Sequence, residues 1–370
     1  MGFQYRNPVR LIFGSGSLGE LGGVLKDFKG RFFVATGGSS MRRAGALDRV
    51  IKAAKGNAFV FDGIESNPSA KTVDRGAGEY IANGCSGIIA IGGGSAIDCA
   101  KAIGAVVANP GADIRGFIRR EKNPVKKVPL LITIPSTSGT SSEVNGYTVI
   151  TDDDGIKKSF RSESIWPDYA IVDPELTLSL PREQTAITGM DVMAHAVESL
   201  LTKKTTPFTE PLALEAVRLA GGSLEKVCAD PGNIALREKM SLANVLAGFA
   251  FCETGVTSLH AFSYFLTGKY GIAHGQAVGI LASAGTELFM RGAKGQMEKT
   301  AKAMGIGVDK VPPRINEIME NCGLETRISG FGAKEKDRDE FIGFGLERVK
   351  GIDPVEINEV FMGKLFDRIL

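Results

Sequence analysis

Residues 87–108 read GIIAIGGGSAIDCAKAIGAVVA, and this run decides the fold class. Its first five residues are β-branched or small and apolar, the pattern of a strand buried on both faces. Gly92, Gly93 and Gly94 break the strand, and Ser95 opens a stretch of helical period that holds Asp98. A strand that passes through glycines into a helix is the building unit of parallel, helix-covered sheets.

Outward from this unit, residues 31–36 (RFFVAT), 58–61 and 130–134 read as further strands, each followed by Gly, Pro or Ser. Runs at 147–151 and 169–173 add more, with the turn DDDG (152–155) after the first. From Pro181 the texture changes to long segments of helical period, 182–202, 211–229 and 236–251, with no convincing strand. The chain is therefore predicted to hold an α/β domain with a Rossmann-like parallel sheet over 1–178 and an all-helical domain over 179–370. LTLSLPRE (176–183) forms the boundary, its Pro suited to a first helical turn. Charge-rich AKEKDRDE (333–340) reads as a solvated helix face.

A length of 370 residues fits two cores better than one, and 43% hydrophobic with 23% charged residues describes a chain able to bury them. A net charge of +2, with both signs interspersed, supplies no field for nucleic acid or an anionic membrane, so the expected partner is a small molecule. The five cysteines are scattered and include no CxxC pair, which points to reduced thiols rather than disulfides or a thiolate zinc site. The N-terminal MGFQYRNPVRLIFG lacks a signal-peptide pattern, and no run reaches the roughly 18 apolar residues of a membrane span, so a cytoplasmic protein is expected. Arg6 stands where myristoylation after Gly2 wants Ser or Thr.

Two glycine signals compete for nucleotide phosphates. Residues 14–19 (GSGSLG) spell GxGxxG, but the acid expected about 20 residues on is missing from ATGGSS (35–40), so we read a structural turn. The glycines at 92–94 are the better candidate, because backbone there can approach a pyrophosphate at a helix N-terminus. The stretch IPSTSGTSSE (134–143) places hydroxyls after another strand, where they can bond phosphate and ribose or cap a helix.

Three histidines, His195, His260 and His274, all fall in the helical half. In TGMDVMAHAVESL (188–200), Asp191 and His195 are four apart and so share a helix face, as two ligands of one cation must. His260 lies in GVTSLHAFSYFL, and His274 follows a glycine-bearing loop. Three imidazoles and a carboxylate suit Fe(II) or Zn(II) at about 2.0–2.2 Å. A histidine hydrogen-bonded in a core is the structural alternative for each.

Together GGGSAIDCAK, PSTSGTSSE, GMDVMAHAVE and the pair His260 and His274 resemble the iron-containing (group III) alcohol dehydrogenase family over nearly the whole chain. That resemblance implies a dinucleotide-binding domain followed by an all-helical metal domain, with the active site between. It implies Asp191, His195, His260 and His274 as metal ligands. Gly93, Gly94, Ser95 and Asp98 then match the pyrophosphate loop, Thr137 and Thr140 the hydroxyl loop, and Leu176 and Phe251 fall where the family packs nicotinamide-side contacts. It further implies hydride transfer between a primary alcohol or diol, or the corresponding aldehyde, and nicotinamide, with the metal as Lewis acid, in a homo-oligomer (dimer or larger). Members specific for NAD often carry an Asp after the strand RFFVAT; Gly37, within Gly37, Gly38, Ser39 and Ser40, stands there instead. Together with Lys157, and with Arg42 or Arg43 in reach, this resembles NADP-using members, so NADP is expected over NAD and Fe(II) over Zn(II). Tyr264 replaces an additional histidine that several relatives carry. Dehydroquinate synthase-type lyases and glycerol dehydrogenase-like enzymes share the architecture, but their metal sets match these residues less well.

Overall fold

The structure, a computed structural model, describes residues 2–370. The chain divides into two compact units. One comprises Asn7–Thr137 and Ser141–Ser179; the other comprises residues 2–6, Ser138–Thr140 and Leu180–Leu370.

In the first unit, strands β1 (Arg10–Phe13), β2 (Arg31–Gly37), β3 (Ala58–Ile64), β4 (Cys85–Gly92), β5 (Leu130–Pro135) and β8 (Tyr169–Val172) form one sheet in the order β1-β8-β5-β4-β2-β3. Every neighbouring pair is parallel. Strands β6 (Tyr147–Thr151) and β7 (Lys157–Arg161) pair separately as an antiparallel hairpin across the 152–155 turn. Two strands go beyond those expected from the sequence. β1 is a four-residue edge strand too short to show alternation, and β7 (KKSFR) is too polar to stand out.

Side-chain alternation on β4 sends Ile88 and Ala90 into one core and Ile89 and Ile91 into another. Helices α2 (Ala70–Ala82) and α3 (Gly94–Ala108) cover the first face, and α1 (Ala46–Ala53) covers the second. The three isoleucines are fully buried. Each contributes about 1.5–3 kcal/mol through burial. The GSGSLG turn folds around a carboxylate of its own chain, since the Gly16 and Leu18 N–H groups both donate to Asp173 at 3.0 Å. Donors that an incoming phosphate would need are thus already engaged. Trp166 is buried in this unit against Gly146, where a side chain would come within 2.6 Å of the indole nitrogen.

The second unit contains no strand among its described residues. Its helices are α4 (Arg182–Leu201), α5 (Thr209–Ala229), α6 (Ile234–Thr254), α7 (Ser258–Tyr270), α8 (His274–Phe289), α9 (Lys294–Met304), α10 (Val311–Asn321), α11 (Arg338–Leu346) and α12 (Glu359–Ile369). Helix α4 is buried on nearly all sides and runs through one continuous core that every other helix of the unit joins. The buried Arg237 guanidinium of α6 bonds Thr185 Oγ1 (2.9 Å) and the carbonyls of Leu180 and Pro231, pinning the start of α4. Gly255 and Gly271, both with φ of +68°, bracket α7. Gly255 lies at the 110° bend between α6 and α7, and Gly271 ends α7 in the left-handed conformation before α8 begins. No single helix among the described residues is long and apolar enough to cross a membrane. The 333–340 segment departs from a purely solvated face. Asp337 is buried, because its carboxylate accepts from the Lys334 N–H (2.9 Å) and pairs with Lys269 of α7 (3.0 Å).

Candidate metal centre and cofactor loops

Asp191 and His195, one turn apart on α4, meet His260 from the first turn of α7: one ligand atom from each lies within 4.8 Å of the others, and all three residues are buried. His274, the first residue of α8 and the most exposed of the set, brings Nε2 to 3.1 Å from His260 Nε2 and 3.9 Å from Asp191 Oδ1. The four residues expected as ligands therefore converge. Their rings are also ordered by stacking: Phe251 lies on His195 (4.4 Å between centroids), His195 on His260 (4.7 Å), and Tyr264 on His274 (5.7 Å).

Each imidazole has a partner on Nδ1. His195 Nδ1 lies 3.2 Å from the Gly139 carbonyl, His260 Nδ1 lies 3.4 Å from Glu198 Oε1, and His274 Nδ1 lies 3.2 Å from Ser263 Oγ. The Ser263 hydroxyl already donates to the His260 carbonyl, so it accepts from His274. A carbonyl, a carboxylate and a committed hydroxyl are all acceptors, which places the proton on Nδ1 and the lone pair on Nε2. Two lone pairs then face each other at 3.1 Å, while the buried Asp191 Oδ1 has no hydrogen-bond partner. An unpaired buried carboxylate oxygen beside opposed lone pairs is costly unless a cation sits among them. Burial also holds His260 well below the usual imidazole range, the neutral form that a metal requires. The donor set fits a borderline divalent ion such as Fe(II) or Zn(II).

Close packing sets this geometry. A side chain on Gly275 would stand 1.9 Å from the Ile187 carbonyl oxygen, so glycine lets the start of α8 lie against α4. Gly189 admits Leu224 of α5 in the same way, at 2.2 Å.

In the sheet unit, Gly92 (φ +148°) ends β4, and Gly93 caps α3 with Gly94 and Ser95 in its first turn. A Cβ on Gly93 would touch Thr137 at 3.4 Å, so the glycine loop and the start of the hydroxyl loop adjoin. Ser95 Oγ accepts from the Asn67 N–H (3.2 Å). Gly37 ends β2 opposite Ile64 of β3; Gly38 and Ser39 follow, Ser40 opens a short helical turn, and Arg43 donates to Ser39 Oγ. Lys157 sits on β7 opposite Thr151, whose N–H bonds the Pro68 carbonyl just beyond β3. This brings the hairpin's turn end, with Lys157, beside the chain that leaves β3. Leu176 is buried with Ile132, Ile134 and Ile171 in the core of the sheet unit. Thr140 belongs with Ser138 and Gly139 to the helical unit, where Ser138 bonds Ser241 (3.2 Å).

Asp98 turns inward. Its carboxylate accepts from Ser142 Oγ and from the Val149 N–H (3.0 Å), and its carbonyl accepts from Thr148 (2.8 Å). Lys101, one turn on and fully buried, donates to Ser142 Oγ (2.8 Å), Asn145 Oδ1 (3.2 Å) and the Tyr147 carbonyl (2.9 Å). Burial lowers the Lys101 ammonium to about 8, opposed by the charges of Asp98 and Glu143. Sequence reading passed over Lys101 and Glu198; each is a charge inside an apolar helical stretch, DCAKAIGAVVA and HAVESLL, and that contrast is the available signal.

The family model for iron-containing alcohol dehydrogenase matches residues 8–174, and that for the Fe-containing alcohol dehydrogenase C-terminal region matches residues 185–370. The chain belongs to the iron-containing alcohol dehydrogenase family. As a member of that family it is an alcohol dehydrogenase oxidoreductase. It is 31% identical to an NADPH-dependent butanol dehydrogenase of Clostridium saccharobutylicum, over 98% of this chain and 97% of that one. Identity to a 1,3-propanediol dehydrogenase of Citrobacter freundii is 30%, over 90% of each. The family fold recurs in sulfoacetaldehyde reductase from Bifidobacterium kashiwanohense in complex with NAD+, with a TM-score of 0.94 and 30% identity, covering 100% of this chain and 99% of that one.

Proposed function

We propose that this chain is a metal-dependent alcohol dehydrogenase and aldehyde reductase that moves a hydride between a primary alcohol or diol and NADP, with Asp191, His195, His260 and His274 holding Fe(II), or Zn(II) in its place. The observation that carries this reading is the unpaired, buried Asp191 Oδ1 facing the opposed His260 and His274 nitrogens. When bound, the cation supplies Lewis-acid polarisation of the substrate oxygen and the nicotinamide supplies or takes the hydride. Asp191 offsets part of the cation's charge, and the three Nδ1 contacts hold the imidazoles in the tautomer that leaves Nε2 for the metal. The Gly92–Gly94 turn and the first turn of α3 receive the pyrophosphate, with Thr137 beside them.

Preference for NADP over NAD rests on Gly37, which leaves the end of β2 without a carboxylate to repel a 2′-phosphate. Arg43, bonded to Ser39, keeps a guanidinium over the GGSS turn. Arg42 is paired with exposed Asp62 (3.3 Å) and contributes less. The enzyme is further read as a cytoplasmic homo-oligomer; five buried free thiols agree with a reducing compartment.

The test is an anaerobic assay of protein reconstituted with Fe(II) or Zn(II), following NADPH and NADH oxidation with short aldehydes. Metal-dependent oxidation that favours NADPH is expected. In His260→Ala, turnover is expected to vanish while NADPH binding survives. Turnover without metal, or retained in that variant, overturns the ligand assignment, and a preference for NADH overturns the Gly37 argument.

A further inference from the structure

We infer that Glu198 is a positioning residue of the metal centre, fixing His260 through its Nδ1–H, and that Thr257 and the 350–353 segment hold Glu198 to that task. The inference rests on the ligand set proposed above. Glu198 follows His195 by three residues on α4, so it lies on the same face as Asp191 and His195, one turn further along. It is fully buried. Its Oε1 lies 3.4 Å from His260 Nδ1, and its Oε2 accepts the Thr257 hydroxyl at 2.5 Å. Both carboxylate oxygens are therefore committed, one to the imidazole and one to the residue that caps α7.

The cap is itself clamped. Ser258 donates its N–H (2.7 Å) and its hydroxyl (2.6 Å) to the two oxygens of buried Asp353. Ser258 Oγ in turn accepts the Lys350 N–H (2.8 Å), and the Lys350 ammonium turns inward to the carbonyls of Val256 and Thr257, both at 3.3 Å. A buried carboxylate is costly without compensation, and Glu198 is compensated by the charge of the inward-turned Lys350 ammonium as well as by its hydrogen bonds. Here the anion is aimed at the far nitrogen of a ligand imidazole, where it fixes the tautomer and raises the basicity of Nε2. Asp353, through Ser258 two residues before His260, anchors the turn from which His260 projects.

The experiment is a titration of metal-free protein with Co(II) and Zn(II) against a chromophoric chelator, with the Co(II) visible absorption recorded in parallel. The wild type is compared with Glu198→Gln, Glu198→Ala, Thr257→Val and His260→Ala. Affinity is expected to fall by about 10–100-fold in Glu198→Ala. A smaller loss is expected in Glu198→Gln, which keeps an acceptor of the same shape, with Thr257→Val also between the extremes, and the Co(II) spectrum should shift in each. Should Glu198→Ala fail to fold, the isosteric Gln variant decides. Affinities within twofold of wild type and unchanged spectra in both Glu198 variants overturn the inference. If instead wild type binds no metal, or His260→Ala binds as tightly as wild type, the metal centre itself is misassigned.

Discussion

Gly275 shows how one hydrogen atom can hold a site together. It follows His274 directly, and a methyl group there would meet the Ile187 backbone oxygen at 1.9 Å, an atom that cannot move without displacing α4. Gly275→Ala is expected to push His274 out of reach of Asp191 and to weaken Co(II) binding at least tenfold, while Gly268→Ala, with open space around it, leaves binding unchanged. Lys101 offers a second test at this scale. Lys101→Met leaves the Asp98 carboxylate buried without its cation and should destabilise the sheet unit by about 3–5 kcal/mol, read by chemical denaturation. At this scale the sequence was partly legible. Asp191 and His195 announce themselves by a spacing of four, and the glycines by their place after a strand. Glu198 and the inward turn of Asp98 were not readable, because each is defined by partners 44 to 62 positions away that only the folded chain supplies.

Elements follow from periodicity where they are long. β4 was readable because both its faces are buried, and α4 because apolar residues run through every turn. β1 and β7 escaped notice for opposite reasons: one is short, and the other carries its charge outward on a hairpin. Ile89, fully buried in the middle of β4, should lose about 2–5 kcal/mol of stability on change to Ala. The start of α11 carries a pH-dependent tie. The Lys334 N–H and the Lys269 ammonium hold the Asp337 carboxyl at about 2, below its ordinary 3.8. A depressed acid stabilises the fold above its ordinary range, and that contribution is lost as pH falls from about 4 through 2. Asp337→Asn is therefore expected to lower Tm at neutral pH, with the gap to wild type closing below pH 4; a gap constant down to pH 2 would contradict this.

For the whole molecule, two compact units predict two thermal transitions. Ligands that bind a folded unit raise its transition by RT ln(1 + [L]/Kd), about 2.7 kcal/mol at a hundredfold excess over Kd. Metal should move the transition of the helical unit and NADPH that of the sheet unit; a calorimetric scan in which each ligand shifts the other's transition would speak against the assignment of binding groups to units. The helical unit resumes at Leu180, beside the change of texture near Pro181, whereas the grouping of Ser138–Thr140 with the helices has no mark in the sequence, since a loop's allegiance depends on contacts such as Ser138 with Ser241. Trp166 adds an optical consequence. It is the single tryptophan of the chain and lies buried in the sheet unit, so intrinsic indole emission watches that unit alone, while far-ultraviolet dichroism is dominated by the helices. Without any label, the protein thus carries a fluorophore whose red shift on exposure to water times the opening of one half independently of the other.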